Sequence, residues 1–221
     1  MSETPEEPIE TPPAEDRSLL VRALPWAILT LIGIGVGSIL YVMTEASFKP
    51  AEDGLAQFRR GSLHRLQVFE RTHPAPTVAV TDAEGRPAAL VDPAARLTLV
   101  NLWATWCAPC RVEMPTLAAA QRTYAARGLR VVAVSLDRPQ EQAEARAFMA
   151  RQAPLRFYAD PTMGLFNGLT PRPQGLPVTL ILDGRGRERA RVVGDADWTS
   201  PEAGALIERL LSERRGGAPA G

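Results

Sequence analysis

The chain has few cysteines and histidines and no excess of charge of either sign. Its 221 residues include two Cys and two His, with 25 basic and 25 acidic side chains. Two cysteines cannot build a disulfide-rich scaffold. The balanced charge differs from the strongly basic composition of nucleic-acid-binding proteins, so no nucleic acid partner is expected. A chain of this length predicts one or two domains with a sizeable core.

One stretch of the sequence has no charge at all. Residues 23–44, ALPWAILTLIGIGVGSILYVMT, lie between Arg22 and Glu45. About 20 apolar residues span a bilayer as a helix, and the run is longer than the roughly 7–15 apolar residues of a signal peptide. We therefore expect a single-pass transmembrane anchor, with a cleaved signal peptide as the alternative. The weak excess of Arg before the segment places the N-terminus in the cytoplasm.

The segments around this stretch differ in composition. Residues 1–22 are acidic and rich in proline, which predicts a disordered cytoplasmic tail. Residues 45–73 are interpreted as a periplasmic spacer and residues 216–221 as a flexible tail. Residues 74–215 alternate between strand and helix patterns, which predicts one α/β domain.

The pattern within this domain predicts a mixed central sheet. Continuous apolar runs at residues 96–103 and 130–136 favour two strands that are buried on both faces. A helix over residues 108–127 separates them, so the two strands are expected to be parallel. The other predicted elements are hairpins at 77–81 with 88–91 and at 177–183 with 188–194, a strand at 157–158, and helices at 139–152, 161–167 and 201–214.

Both cysteines lie where the first buried strand gives way to the helix, in Trp106-Cys107-Ala108-Pro109-Cys110. The N-terminus of a helix has unpaired N–H groups and a partial positive charge, which favour a thiolate. Cys107 precedes the first turn, so we expect its sulfur to be exposed and to attack a partner disulfide. Cys110, one turn later, then resolves the mixed disulfide. Pro109 fixes φ at the start of the helix.

Other uses of the cysteine pair need groups that the sequence supplies poorly. A structural zinc site requires a second Cys/His pair, but His64 and His73 lie in the spacer. Haem attachment requires His directly after the second cysteine, where this chain has Arg111. A purely structural disulfide would close too short a loop to stabilise the fold much. A protein that holds Cu(I) between the two thiolates stays open as a different functional class. No metal site and no cofactor is predicted.

The stretch Val100-Asn-Leu-Trp-Ala-Thr-Trp-Cys-Ala-Pro-Cys-Arg-Val-Glu-Met-Pro115 resembles the active-site sequence of the thioredoxin family. The second half of this stretch is similar to the membrane-anchored bacterial TlpA/ResA/CcmG branch. Within that branch the sequence of the stretch most resembles TlpA-like proteins. The resemblance covers about residues 74–214. It implies a thioredoxin-like α/β fold with a mixed central sheet, an N-terminal β-hairpin and a central strand–helix insertion within residues 136–175, preceded by one transmembrane helix.

The resemblance also implies a surface that binds substrate around the two cysteines. Pro177 occupies the position of the family's cis-proline, which faces the active-site disulfide. Leu176, directly before it, would offer its backbone to an extended substrate strand. Trp106, Ala108 and Pro109 complete the expected contact surface.

An acidic residue is expected to assist the resolving cysteine. Thioredoxin proper has a buried Asp where this chain has Asn101, and the branch it resembles instead has an acid three residues after the second cysteine. Here that acid is Glu113, which shares a helix face with Cys110. Glu113 could take the proton of Cys110. The alternative is a solvated glutamate paired with a nearby arginine.

The anchor and the resemblance together imply a thiol–disulfide oxidoreductase of the bacterial inner membrane, with its catalytic domain in the periplasm. We expect it to act as a reductant. The resemblance to TlpA implies the copper-site cysteine pairs of cytochrome oxidase or its assembly chaperone as substrates. The resemblance to ResA and CcmG implies the haem-site cysteines of apocytochrome c, and the sequence does not separate the two. Either cycle needs a membrane electron donor of the DsbD/CcdA type.

Overall fold

A computed structural model of the chain describes residues 25, 28, 29, 31–39, 41, 54–76 and 78–213. The chain divides into two units, residues 1–51 and 52–221. In the first unit every described residue is helical and exposed, including apolar side chains from Ile28 to Tyr41. None of the helices that the structure describes is long and apolar enough to cross a membrane. The predicted tail at 1–22, much of the predicted anchor at 23–44 and the predicted tail at 216–221 lie outside the described residues.

The second unit is built on one mixed sheet of eight strands in the order β1-β8-β7-β4-β5-β6-β2-β3. Strands β4, β5 and β6 are parallel to one another, and the other neighbouring strands pair antiparallel. The strands are β1 (Leu66–Pro74), β2 (Val80–Asp82), β3 (Pro87–Ala88), β4 (Leu97–Trp103), β5 (Leu129–Ser135), β6 (Phe157–Ala159), β7 (Val178–Asp183) and β8 (Arg187–Val193). The predicted parallel pair, β4 and β5, is confirmed, and so is the mixed character of the sheet.

Two apolar clusters cover the two faces of the sheet. Strand β4 is buried along its whole length, and its side chains alternate between the clusters, with Leu99 and Trp103 in the first and Val100 and Leu102 in the second. Helices α1 (Ala108–Tyr124), α2 (Gln142–Met149) and α4 (Pro201–Ser212) contribute to the first cluster, and the single turn α3 (Gly164–Asn167) contributes to the second. Both cysteines belong to the first cluster.

Helix α1 begins and ends where the sequence predicts. Its first turn is capped by Cys107 and contains a proline, which needs no N–H partner there. A 3₁₀ turn, Ala125–Arg127, follows it, and the chain then reverses at Gly128 with φ of 100°. A β-carbon at Gly128 would lie 2.9 Å from Cγ of Arg96, so both the backbone angle and the space favour glycine.

The other predicted elements are present with somewhat different bounds. Strands β2 and β3 form the N-terminal hairpin, β7 and β8 form the C-terminal hairpin, and β6 with the helices on either side of it forms the central insertion. The helix predicted over 139–152 starts with a 3₁₀ turn at Pro139–Glu141 before α2 begins.

The predicted spacer at residues 45–73 differs from the structure. From Leu55 onward these residues form part of the domain, as the 3₁₀ turns Leu55–Phe58 and Gly61–Leu63 followed by strand β1. Leu55, Phe58, Leu63 and Leu66 are buried in the first cluster, and β1 adds an edge strand beside β8. The sequence pattern did not predict this because the partners that bury these side chains lie more than 100 residues away.

Candidate active site

The two cysteines stand at the junction of β4 and α1. Cys107 is the N-cap of α1, with φ of −90° and ψ of 97°, and its sulfur accepts a hydrogen bond from the backbone N–H of Cys110 at 3.3 Å. The two sulfurs are bonded as a disulfide. A sulfur at this position faces the unpaired N–H groups of the first turn, which stabilise negative charge on it after reduction.

The two sulfurs differ in exposure less than predicted. Cys110 is fully buried, and Cys107 is only 6% exposed, so the expected open sulfur is instead a narrow access point. Two large apolar side chains close to the cysteines in the sequence are exposed, Trp106 by 61% and Val112 by 73%. Ala108 and Pro109 are exposed as well. Cys107 therefore keeps a small exposed fraction next to exposed neighbours in the sequence, whereas Cys110 has none.

Glu113 is buried beside the resolving cysteine on the same helix, with only 2% of its surface exposed. One carboxylate oxygen accepts a hydrogen bond from Nδ2 of Asn101 at 2.6 Å, and the other accepts one from the backbone N–H of Ala196 at 3.0 Å. Burial raises the pKa of Glu113 to about 8, although both hydrogen bonds favour the charged form. The alternative of a solvated glutamate paired with an arginine is wrong for the described residues.

Asn101 connects the acid to the middle of the sheet. Its Nδ2 also donates to the hydroxyl of Thr179 at 3.0 Å, and the two residues face each other in the β4–β7 register. The neutral Asn101 thus holds Glu113 through a hydrogen bond without adding a second buried charge. The sequence reasoning found Asn101 and Glu113 but missed Thr179 and Ala196, because no local pattern places them nearby.

A second buried acid, Asp137, was missed by the sequence reasoning. It follows β5 and is fully buried. Its carboxylate accepts hydrogen bonds from the backbone N–H of Thr105 at 3.0 Å, the Thr105 hydroxyl at 2.6 Å and the Ser135 hydroxyl at 2.8 Å. Thr105 lies two residues before Cys107, so Asp137 fixes the loop that enters the active site. The sequence signal that could have identified Asp137 is an acidic residue directly after the apolar run at residues 130–136, which predicts a buried strand.

The predicted cis-proline position has the expected backbone geometry. The Leu176–Pro177 peptide bond is cis, as are Ala153–Pro154 and Thr170–Pro171. Pro177 is buried, and its carbonyl accepts a hydrogen bond from the N–H of Gly194 at 2.8 Å. Leu176 is partly buried and packs against both apolar clusters, including the one that contains the cysteines.

The fold and the site agree with comparisons to known proteins. The AhpC/TSA family model matches residues 72–191, a range that includes both cysteines, Glu113 and Pro177. This chain belongs to the AhpC/TSA family. The family match covers more than half of the chain and starts within β1, which agrees with β1 being part of the domain.

Individual relatives of this AhpC/TSA protein support the resemblance to the TlpA/ResA/CcmG branch. The thiol:disulfide interchange protein HelX of Rhodobacter capsulatus is 37% identical over 103 residues, 45% of this chain and 53% of HelX. The thiol-disulfide oxidoreductase ResA of Bacillus cereus is 29% identical over 121 residues, 55% of this chain and 68% of ResA. The alignment thus spans about half the length of HelX and two thirds of ResA.

A solved structure of a candidate thiol:disulfide interchange protein DsbE from Chlorobium tepidum has the same fold. It superposes with a TM-score of 0.53 and 28% identity, over 64% of this chain and 98% of that one. The thioredoxin-like fold and the family are therefore shown. The proteins matched here carry the names of thiol–disulfide oxidoreductases, and this chain has a bonded Cys107–Cys110 pair.

The structure also locates the residues considered as metal ligands. His64 follows the second 3₁₀ turn, and His73 lies in β1. Within the part of the chain that the structure describes, no group of three or more His, Cys, Asp or Glu side chains is placed to hold a metal ion. A copper site at the cysteine pair would therefore have no His, Asp or Glu from the described residues grouped with the two thiolates.

Proposed function

We propose that the protein reduces disulfide bonds in other proteins through Cys107 and Cys110. The observation that carries this proposal is the disulfide at the N-terminus of α1, with Cys107 at the surface side and Cys110 buried behind it. This arrangement supports an attacking role for Cys107 and a resolving role for Cys110. We expect a substrate to contact the exposed residues Trp106, Ala108 and Pro109 and the partly buried Leu176.

The reaction is an exchange of thiols and disulfides in two steps. In the reduced enzyme the Cys107 thiolate attacks one sulfur of a substrate disulfide, and the other substrate sulfur leaves as a thiolate. The Cys110 thiolate then attacks the Cys107 sulfur, forms the disulfide seen in the structure and releases the second substrate thiolate. Two electrons pass from the enzyme to the substrate, so an external dithiol must reduce the enzyme again.

Glu113 is suited to take the proton of Cys110 in the second step. Its carboxyl group has a pKa of about 8, which lies close to the value of about 8.5 for an ordinary cysteine thiol. Burial therefore makes this carboxylate, when it is ionised, a stronger base toward a thiol than an ordinary glutamate is. Both residues are buried, so water competes poorly for the proton.

We also propose that the protein is located at the bacterial inner membrane. The uncharged residues 23–44 support an anchor, and the described part of this segment is helical with exposed apolar side chains. With the N-terminus in the cytoplasm, the domain faces the periplasm. Disulfides form readily there, so a reducing activity must be supplied at the site where it is needed. A membrane electron donor of the DsbD/CcdA type would restore the dithiol.

The proposed substrates are the copper-site cysteine pairs of cytochrome oxidase or of its assembly chaperone. The amino-acid sequence of the active-site stretch most resembles that of TlpA-like proteins, which supports these substrates. A second candidate is the reduction of apocytochrome c before haem attachment, which the resemblance to ResA implies. The ResA protein among the relatives favours this candidate.

The decisive experiment traps the substrate. We expect the full-length Cys110→Ser variant, expressed in its native host, to accumulate a mixed disulfide at Cys107, because no thiol remains to resolve it. Mass spectrometry of the adduct identifies the partner. An oxidase subunit or copper chaperone supports the first candidate, and an apocytochrome supports the second.

The matched control carries Cys107→Ser together with Cys110→Ser and should form no adduct. If Cys110→Ser is equally blank, the redox proposal fails. Copper analysis of the reduced wild-type protein then tests the copper-binding alternative: about one Cu(I) per chain that is lost in the double variant would establish it.

A further inference from the structure

A groove with basic residues lies beside the loop that carries Leu176. It has a volume of about 850 Å³ and lies between β1 (at Leu66–Val68), the end of β8 at Val193 and the loop of residues 171–176. This volume falls within the range of clefts that bind organic ligands and exceeds what one small ion fills. Among the described residues that line the groove there is no Asp or Glu.

Three exposed arginines line the groove without an acidic partner. Arg59 donates through Nε to the carbonyl of Leu66 at 2.8 Å, and Arg172 donates through Nη2 to Oδ1 of Asn167 at 2.8 Å. These acceptors carry no net charge. Within the described part of the chain, none of Arg59, Arg65 and Arg172 forms an ion pair, and the guanidinium of Arg172 also lies 5.7 Å from the centre of the Phe166 ring. The positive charges of the three arginines along the groove are therefore not neutralised by an acidic side chain.

The side chain of Arg65 lies directly against the backbone of Gly194. A β-carbon at Gly194 would collide with Nη1 of Arg65, and Gly194 has a φ of +105° that disfavours any other residue. The guanidinium therefore occupies the space that a side chain would fill. The nearest acid along the chain, Asp195, is exposed but does not line the groove.

The wall of the groove is held by a buried ion pair. Arg191 donates to the carbonyl of Pro171 at 2.7 Å and pairs with Glu188 at 2.7 Å, and both side chains are almost fully buried. Because the pair is neutral as a whole, it fixes the loop without adding to the charge of the groove. The basic character therefore comes from Arg59, Arg65 and Arg172.

The groove is joined to the active site by two short connections. Leu176 lines the groove, and the next residue is the cis-proline Pro177. On the other side, Gly194 lines the groove and donates to the Pro177 carbonyl, and two residues later Ala196 donates to Glu113. A chain that lies along Leu176 to place its cysteine at Cys107 would therefore continue into the groove.

We propose that this groove binds an acidic segment of the substrate polypeptide next to its cysteine pair, and so selects substrates by charge. The inference rests on the proposed reductase function and adds a specificity site to it. Carboxylates of the substrate pair with Arg59, Arg65 and Arg172, which raises the rate of encounter and fixes the direction of the bound chain.

The test compares three peptides that share one internal disulfide and differ only in four flanking residues, which are all Glu, all Gln or all Lys. The reduced full-length protein is mixed with each peptide, and the second-order rate constant of reduction is measured. We expect the Glu peptide to react faster than the Gln peptide, and the Lys peptide to react slowest. The difference between the Glu and Gln peptides should shrink strongly in 0.5 M salt, because salt screens exposed charges.

The arginines are tested with Arg65→Gln and Arg172→Gln. We expect each substitution to lower the Glu-over-Gln rate ratio by about threefold, as is typical of exposed ion pairs. The matched control is Arg185→Gln, which removes an exposed arginine in the β7–β8 turn and should leave the ratio unchanged. Equal rates for all three peptides, or equal Glu-over-Gln rate ratios in the groove variants and the control, would overturn the inference while leaving the reductase function intact.

If the folded protein reduces none of the peptides, the proposed function itself fails and the groove inference fails with it.

Discussion

Glu113 is the residue in the site whose chemistry depends most on its surroundings. Burial raises the pKa of its carboxyl group to about 8, so in the disulfide form it keeps its proton at neutral pH. It can accept the proton of Cys110 only in the fraction of molecules where it is ionised. Because the carboxyl group ionises at a higher pH in the folded chain than in the unfolded chain, it also makes the stability of the fold depend on pH.

Glu113 should make the oxidised protein less stable as the pH rises. An unfolded chain ionises this group near pH 4.5, whereas the folded chain holds the proton up to about pH 8. The folded state thus binds more protons in between, and its stability falls across that interval, by at most about 5 kcal/mol from this group. Urea unfolding at pH 5 and at pH 8.5 measures the difference, and Glu113→Gln should flatten it.

Glu144→Gln is the matched control, because Glu144 is an exposed glutamate and should leave the pH dependence as in the wild type. A second measurement separates catalysis from structure. If Glu113 accepts the proton, Glu113→Gln slows the resolution of the mixed disulfide by about a hundredfold and leaves the attack by Cys107 unaffected. An unchanged rate of resolution would leave Glu113 with a structural role only.

At the scale of elements, the ends of β4 and β5 position the reactive loop. Strand β4 delivers the chain to the loop before Cys107, and β5 ends two residues before Asp137, which binds that loop. The N–H and the hydroxyl of Thr105 both donate to this carboxylate. Because the two strands are paired in a fixed parallel register, the loop has one well-defined position relative to helix α1.

Asp137→Asn should destabilise the domain and slow the attack on substrate. The amide group offers one acceptor where the carboxylate offers two, and its NH₂ would face donors, at a cost of about 3 kcal/mol. We expect the rate constant for formation of the mixed disulfide to fall by about tenfold or more, since small displacements of a nucleophile are costly. Urea unfolding and rapid-quench kinetics measure the two effects.

Asp160→Asn provides the comparison. Asp160 is equally buried and binds the N–H of Leu165 at the start of α3, but it has no hydrogen bond to residues 104–107. The variant should lose similar stability while the rate of attack stays within about twofold of the wild type, because the loss acts outside the reactive loop. Equal kinetic losses in the two variants would show that general destabilisation explains the effect of Asp137→Asn.

The main elements could be predicted from the sequence because their signals are local. The buried runs of β4 and β5, the capped start of α1 and the reversal at Gly128 each depend on neighbours within a few residues. Strand β1 could not be predicted, because its burial depends on β8, more than 100 residues along the chain.

The residues of the candidate site also differ in whether the local sequence predicts them. Cys107, Cys110 and Glu113 follow one another on a single helix, so their spacing alone places them together. Asp137, Thr179 and Ala196 reach the site through the packing of other strands and loops, and no spacing links them to the cysteines. The predicted exposure of Cys107 is wrong, because the residue packs into the first apolar cluster, which is assembled from side chains far apart in the sequence.

At the scale of the whole molecule, the zero net charge conceals an uneven distribution. The residues before the uncharged segment 23–44 are acidic, with six acids against two arginines in residues 1–22, so the remainder of the chain is net basic. If the segment crosses the membrane, the acidic sequence before it and the net basic sequence after it face different compartments.

We therefore predict that the protein behaves as an integral membrane protein whose domain faces the periplasm. Full-length protein should stay in the membrane fraction after extraction at alkaline pH, because about 20 apolar residues anchor it firmly. Deletion of residues 23–44 should release it. A C-terminal fusion to alkaline phosphatase, which needs an oxidising compartment for its disulfides, should be active only when the segment is present.

Extraction of the full-length protein at alkaline pH would contradict the anchor. Phosphatase activity that persists after deletion of residues 23–44 would contradict the predicted export. A membrane-bound but inactive fusion would place the domain on the cytoplasmic side. In that case the reducing environment of the cytoplasm would argue for a different electron donor.

The two edge strands of the sheet, β1 and β3, determine whether neighbouring molecules can pair through their sheets at high concentration. Strand β1 loses its regular register between Val68 and His73 and ends in Pro74, and the opposite edge is the two-residue strand β3, which begins with Pro87. Irregular, short and proline-bearing edges resist the addition of a further strand from another molecule. Many copies held side by side should thus remain dispersed instead of assembling into continuous β-structure.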